Sequence, residues 1–436
     1  MTIQLFCQNP TCRTYLGAIA TICPTCEEER PISALPPEPH KPLWQVMVHG
    51  PSRGRTVVAR DMVLFAWGDR RGIGGVTALD YSTGEQHWVF QTEHSVEGGV
   101  TVAGDQVLFG TLAFLGSGAM LNCLDLMSGE QVWSQPLSGG SWSAPVVEEV
   151  RVYVGCDNGQ LHCFDIRDGS ELSGWPISLE KGRVWLTHAD KKLVVLSASG
   201  QVYVLEALRS RQLGTPWKID VEITSAPLIV GEVLYFGAGE GDLVALNLRD
   251  GEAHTLAEEL KKVVAAPTYA DGALFVGAQD HCLSAIDIET GRRLWKAECG
   301  RSISSSPVAA EGMVFVGAND GGIYAFDTHS GERLWRFPVE SGAPVMGNPA
   351  YYEGDLYIGA EDGSVYALPW HLGQYARAAE LLVNQKRFTE AAGFTRLPAI
   401  LNCVTHLLGS SASRQLSRTG AKLGSGKKRL ASTNRS

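Results

Sequence analysis

Four cysteines near the start have spacing suited to metal chemistry: Cys7-x4-Cys12 and Cys23-x2-Cys26, all within 20 residues. Cys23-Pro24-Thr25-Cys26 is a tight turn that brings two thiols to one side. Four thiolates close a tetrahedral Zn2+ shell and leave no open position for catalysis, so the expected role is structural. So short a module buries no core, and the metal would supply its folding energy. Two disulfides, or a redox Cys-x-x-Cys, are the alternatives. A reducing compartment disfavours the first, and the second lacks a βαβ context.

A second set is cationic and aromatic: Arg53, Arg55, Trp142, Arg183, Trp185 and Arg301. Guanidinium groups bind carboxylates through their in-plane donors, and indoles stack on cations and flat ligands. If these side chains converged, they would hold an anionic ligand or a peptide. Otherwise they are loop residues on an acidic body. Asp280-His281-Cys282 pairs a Cys with a His but has no third member, and it stands where other segments have Asp-Gly, so it reads as an altered turn. Cys123, Cys156, Cys163 and Cys299 alternate within strand patterns and read as small buried hydrophobes. No Ser–His–Asp signature, phosphate loop or carboxylate pair stands out.

The elements that must position these residues are repeated. Ser306-Pro307 opens an apolar strand. An alternating strand ends at Gly317, another ends at Asp327, and Ser330-Gly331 leads into a fourth strand carrying Trp335. The same punctuation recurs at Pro267, Gly277, Asp287, Gly291 and Trp295, and again at Pro227, Gly237, Gly241, Asn247 and Gly251. Pro145, Gly155, Gly159, Asp165, Gly169 and Trp175 mark a further copy. Four strands per ~40 residues is the period of a propeller blade. Three-strand units centre on 56–80, 98–125, 143–165, 184–206, 225–247, 265–287, 305–327 and 347–367, which makes eight. Trp44 precedes the first unit, and no fourth strand follows the last. The strand around Leu43-Trp44-Gln45-Val46 is therefore expected to complete the blade built by 347–367, which hides both terminal edges.

Ala78-Leu79-Asp80-Tyr81-Ser82-Thr83-Gly84-Glu85-Gln86-His87-Trp88 resembles the tryptophan-docking motif of PQQ-like (pyrroloquinoline-quinone-type) repeat β-propellers. Ala285 to Trp295 and Ala325 to Trp335 repeat it. The resemblance covers about three quarters of the chain. It implies that Trp44, Trp88, Trp133, Trp175, Trp217, Trp295 and Trp335 wedge between neighbouring blades, while the His254 segment lacks a Trp. The family includes quinoprotein dehydrogenases and non-enzymatic scaffolds, one of them a lipoprotein of outer-membrane barrel assembly. The dehydrogenases use calcium and a vicinal Cys–Cys disulfide, and this sequence has no adjacent cysteines, so PQQ is not expected.

The predicted organisation is all-β. Residues 1–30 look like a small zinc ribbon, and 31–41 are a Pro-rich linker. Residues 42–370 form an eight-bladed propeller. Residues 371–397 are similar to a tetratricopeptide-type helical hairpin, and 398–436 form a basic, disordered tail.

Of the 436 residues 44% are hydrophobic and 19% charged, with 49 glycines and a net charge of −10. Residues 41–371 hold 24 basic and 41 acidic side chains, net −17, so the body offers no broad nucleic-acid face. Residues 398–436 hold 7 basic and no acidic side chains, and nucleic acid could be met only there. The first residues carry neither a basic nor an apolar leader region, which predicts a cytoplasmic location. The sequence thus points to a non-enzymatic cytoplasmic scaffold or adaptor for protein partners, with structural zinc and no membrane insertion. The alternatives are a quinone- or small-ligand-binding oxidoreductase or sensor using the channel, and a nucleic-acid-associated protein using ribbon and tail. The barrel-assembly role is opposed at this level by the lack of a leader and by the cysteine knuckle.

Overall fold

The computed structural model describes residues 42–369, except 70–71, 113–117, 181, 190–191, 207–215 and 259. The cysteine module, the Pro-rich linker, the helical pair and the basic tail lie outside the described residues. One compact unit runs over Lys41–Leu368.

Among the described residues the chain forms eight four-stranded antiparallel sheets and no helix. Seven are consecutive meanders: blades 1 to 7 cover residues 57–92, 101–136, 146–178, 184–218, 228–257, 268–298 and 308–338. Blade 7 shows the local logic. Val308–Ala310 turns back through Glu311-Gly312, both at positive φ, into Met313–Gly317. Two left-handed turn residues match the right-handed twist of the paired strands. Met313–Gly317 and Gly322–Asp327 are buried at every position. Alternation of buried and exposed faces vanishes because each sheet is covered by a blade on both sides. The core accordingly lies between blades: Phe275 and Trp295 of blade 6 pack with Val314, Val316 and Phe326 of blade 7. The first strands line the axis. That of blade 1 (Val57–Ala59) meets those of blade 2 (Thr101–Ala103) and blade 8 (Ala350–Tyr352), and that of blade 3 (Val146–Glu148) meets that of blade 4 (Val184–Ala189).

Blade 8 consists of Ala350–Tyr352, Asp355–Gly359 and Ser364–Pro369, and its outer strand is Trp44–Met47 from the other end of the unit. The register is Trp44↔Ala367, Gln45↔Tyr366, Val46↔Val365 and Met47↔Ser364. The expected ring closure is therefore present.

Tryptophans fasten most blades to the next. The indole Nε1–H of Trp44 donates to Tyr81 O (2.9 Å), that of Trp88 to Leu126 O (2.9 Å), that of Trp133 to Ile166 O (3.0 Å) and that of Trp295 to Thr328 O (2.8 Å). Each acceptor directly follows the Asp that ends the third strand of the next blade. The indole lies on the turn glycine behind it. A Cβ on Gly129 would sit 2.5 Å from the Trp88 ring, and Gly129 is at φ +70, so the turn requires glycine twice over. Trp217 lies against Gly251 in the same way. Trp175 meets Tyr153 of its own blade edge-on at 5.7 Å and packs against the core that blades 3 and 4 share. Where blade 5 has no Trp, the main chain at Leu256 approaches Gly291 directly. At the junction with blade 8 the buried Trp335 Nε1 finds no acceptor among the described residues.

Blade 8 also carries an acidic cluster at its first hairpin. Burial pushes the Asp355 carboxyl up to about 7, and the neighbouring Glu353 adds to the shift. The Tyr357 hydroxyl is buried close by without a hydrogen-bond partner among the described residues. A carboxyl raised above its unfolded value of 3.8 favours the fold when protonated. Its contribution is complete below pH ~4 and is lost as pH rises through 7, on the order of 2–4 kcal/mol. Asp355→Asn should therefore raise Tm relative to the natural protein clearly at pH 8 and little at pH 4.5, as read by calorimetry. An equal Tm difference at both pH values would contradict this account of blade 8.

Candidate functional site

In each meander the lead-in to the first strand and the turn between the second and third strands emerge at one end of the channel. The six cationic and aromatic candidates all lie in or beside lead-ins, and so share that mouth. They are spread over blades 1, 3, 4 and 7 there, and three of them meet.

Those three are Trp142, Arg183 and Trp185. Blade 3 places them through its second turn, Asp157-Asn158-Gly159. Asn158 Oδ1 accepts Gln160 N–H at 3.1 Å, and Asn158 Nδ2–H donates to Ser138 O at 2.9 Å. Gly182 N–H donates to Asp157 O at 3.2 Å, which fixes the lead-in of blade 4 against blade 3. Arg183 follows, and its own carbonyl accepts Ala198 N–H at 2.9 Å. The guanidinium carbon lies 4.4 Å from the Trp142 ring centroid and 5.9 Å from that of Trp185. Trp142 is 40% exposed, and Trp185 is buried. Loss of hydration lowers the Arg183 pKa from its ordinary value, while Asp157 opposes the shift. Among the described residues no carboxylate forms an ion pair with Arg183.

Arg53 is fully engaged. It spans three blades, donating through Nη2 to Glu361 Oε2 (2.7 Å), through Nε to Glu361 Oε1, and through Nη1 to Glu97 Oε1 (3.0 Å). Its pKa is raised chiefly by the bond to Glu361, against some desolvation, whereas burial pushes Glu97 up and Arg53 pulls it back. Arg53 is thus a rivet between blades 8, 1 and 2. Arg55 is exposed, with its backbone bridged to Asn348, and Arg301 is exposed at the lead-in of blade 7. The two lie in blades 1 and 7, away from the Arg183 cluster.

The structure also assembles a constellation whose spacing gives no warning. Ser138 Oγ lies 2.8 Å from His162 Nε2, and His162 Nδ1 lies 2.6 Å from Glu171 Oε1. The signal was a polar residue at the third position of Gln160–Asp165, on the face that also buries Phe164. Blade 7 has Tyr324 at that position, and it accepts Gly300 N–H at 3.1 Å. Ser138 N–H likewise points at His162 Nε2 (3.4 Å). Both side chains pin the segment leaving the preceding blade, and Ser–His–Glu here is a lock between blades 2 and 3.

The remaining candidates fall in place as ordinary turns and core. His281 sits at φ +68, where blade 7 has Gly321 at φ +75, and Cys282 N–H donates to Asp280 Oδ1 at 3.1 Å. Cys123, Cys156, Cys163, Cys282 and Cys299 are free and buried. Burial pushes the Cys156 thiol up to about 11 and those of Cys123 and Cys163 up to about 12, far from nucleophilic thiolates. Cys7, Cys12, Cys23 and Cys26 lie outside the described residues.

The family model described as outer membrane protein assembly factor BamB matches residues 25–139, 117–259 and 253–399. BamB of Yersinia pestis is 27% identical over 213 residues, covering 42% of this chain and 51% of that protein. BamB of Burkholderia pseudomallei is 27% identical over 244 residues, covering 50% of this chain and 62% of that protein. The chain thus spans about half the length of the curated relatives it matches. The crystal structure of BamB from Moraxella catarrhalis superposes with a TM-score of 0.61 at 19% identity, over 75% of this chain and 96% of that one. A europium-containing methanol dehydrogenase superposes with a TM-score of 0.56 at 14% identity, over 73% and 85%. Likeness at these identities shows the fold alone, since scaffold and enzyme share it. The relatives' names do overturn one expectation. They assign those proteins to outer-membrane protein assembly, so the cytoplasmic location read from the first residues does not stand.

Proposed function

We propose that this chain, which belongs to the family described as outer membrane protein assembly factor BamB, is a non-enzymatic scaffold that holds protein partners at the mouth end of its propeller. The observation that carries this reading is the family match, which runs through three successive overlapping segments and spans every blade. Two features support it. The ring is closed and cross-fastened, a rigid base from which loops can present contacts. Its mouth exposes an indole and a guanidinium, the side chains most enriched where partners bind tightly. By its relatives' names, the process in which it acts is the assembly of outer membrane proteins.

The test is site-specific photo-cross-linking in the native cell. A cross-linking residue replaces Arg301 or Glu340 at the mouth end, or Met127 or Asp271 at the opposite end. The expected result is a discrete protein adduct from the mouth positions and none from the others. Absence of a protein adduct at all four positions would overturn the scaffold reading.

The four-cysteine module is proposed to hold a structural Zn2+ through Cys7, Cys12, Cys23 and Cys26. Their all-thiolate donor set suits zinc and leaves no site for substrate. Elemental analysis of the purified full-length chain should give about one zinc per chain, lost in Cys23→Ser/Cys26→Ser. A zinc-free natural chain, or a double variant that keeps its zinc, would contradict the assignment.

A further inference from the structure

We propose that Arg183, held over Trp142 and beside Trp185 at the channel mouth, takes a single carboxylate side chain from an apolar stretch of the protein partner. This rests on the scaffold reading above and names the contact point of that same mouth.

Three observations carry it. First, the guanidinium carbon lies 4.4 Å from the Trp142 centroid, and among the described residues its N–H groups make no hydrogen bond. Those donors form the fork that matches a carboxylate bidentately. Second, among the described residues no carboxylate forms an ion pair with the cation, although Asp157 is near enough to act on it electrostatically. Arg336, the other described arginine set over a ring, lies 5.6 Å from the Tyr324 centroid and also reaches Asp320 at 3.3 Å. Arg53 has both Glu97 and Glu361. Arg183 has indoles and, among the described residues, no carboxylate in ion-pair contact. Third, its base is fixed. The Arg183 carbonyl accepts Ala198 N–H, and the next carbonyl, of Val184, accepts the Ser143 hydroxyl at 3.3 Å. Little ordering is left for a partner to impose.

The surroundings select the occupant. The body carries a net −17 over residues 41–371, so a run of acids or an anionic lipid surface is repelled as a whole. One carboxylate flanked by apolar side chains avoids that repulsion, and the flanking groups cover the exposed Trp142.

The test uses the full chain and two blocked peptides, Ac-Ala-Phe-Glu-Leu-Ala-amide and its Gln counterpart, with binding read by calorimetry at low millimolar concentration. The natural protein should bind the Glu peptide at least ~10-fold tighter than the Gln peptide. Arg183→Met should abolish that preference, and Arg183→Lys should lose most of it, because a point charge lacks the fork. Trp142→Ala should weaken both peptides. Circular dichroism and Tm confirm that each variant is folded, and Arg301→Met serves as a mouth variant that keeps the preference. Equal binding of the two peptides to the natural chain, or an unchanged preference in Arg183→Met, would overturn the proposal. So would stronger binding to phosphatidylglycerol vesicles than to phosphatidylcholine vesicles that depends on Arg183. Partner cross-linking from Glu340 separates the two levels. An adduct that persists undiminished in Arg183→Met sinks this contact and leaves the scaffold standing, whereas no adduct in the natural chain sinks both.

Discussion

Four of the eight blade junctions rest on one repeated contact: an indole laid on the turn glycine of the next blade, its N–H donated to the carbonyl just past the turn aspartate. The contact ties three levels together. Sequence supplies the Asp, the Gly and the Trp at fixed offsets. Local structure follows, because Asp125 Oδ1 accepts the backbone N–H of Ser128 at 2.8 Å and Gly129 then takes φ +70. Packing follows from both, because only a residue without a Cβ lets Trp88 approach so closely. A buried aromatic of this size contributes several kcal/mol, and its polar edge is satisfied across the interface instead of within the blade. Adjacent blades are thereby joined by hydrophobic area and by a directional bond that fixes their register.

Closure makes the array finite. A stack of such units would end in two bare edges. Here the first strand of the unit supplies the last, and Trp44 then docks on blade 1 as Trp88, Trp133 and Trp295 dock on their neighbours. Beside the seam, at the junction of blades 7 and 8, the Trp335 N–H finds no acceptor among the described residues. At the mouth, Arg53 bridges blades 8, 1 and 2 across this seam, so a residue suited by type to bind a ligand serves cohesion instead. Rigidity at the seam and exposure at Arg183 are thus divided between two arginines of the same mouth.

Fold and candidate site were legible to different degrees. Blade count, strand order and the closing strand follow from punctuation by Gly, Pro, Asp and Trp, because each of those residues meets a backbone requirement local in sequence. The site depends on which lead-ins become neighbours and on what else competes for each charge. Nothing near Arg53 in sequence announces Glu361, which is 308 residues away, and nothing near Ser138 announces His162 and Glu171. His162 was visible only as a polar side chain in an inward alternation. Cellular location was misread because a leader pattern is a feature of a few residues, whereas family membership is carried by the whole repeat array.

The account stands on the ring being closed by residues 44–47. Amide hydrogen exchange on the full-length chain tests this directly, with Trp44–Met47 compared with its partner strand Ser364–Pro369 and with the outer strand Arg293–Glu298 of blade 6. A closed ring predicts that Trp44–Met47 exchanges no faster than Arg293–Glu298, and that protection at Val365 and Ala367 falls together with it as denaturant is added. Exchange at Trp44–Met47 on the timescale of a free peptide, with blade 6 still protected, would contradict closure and the scaffold built upon it.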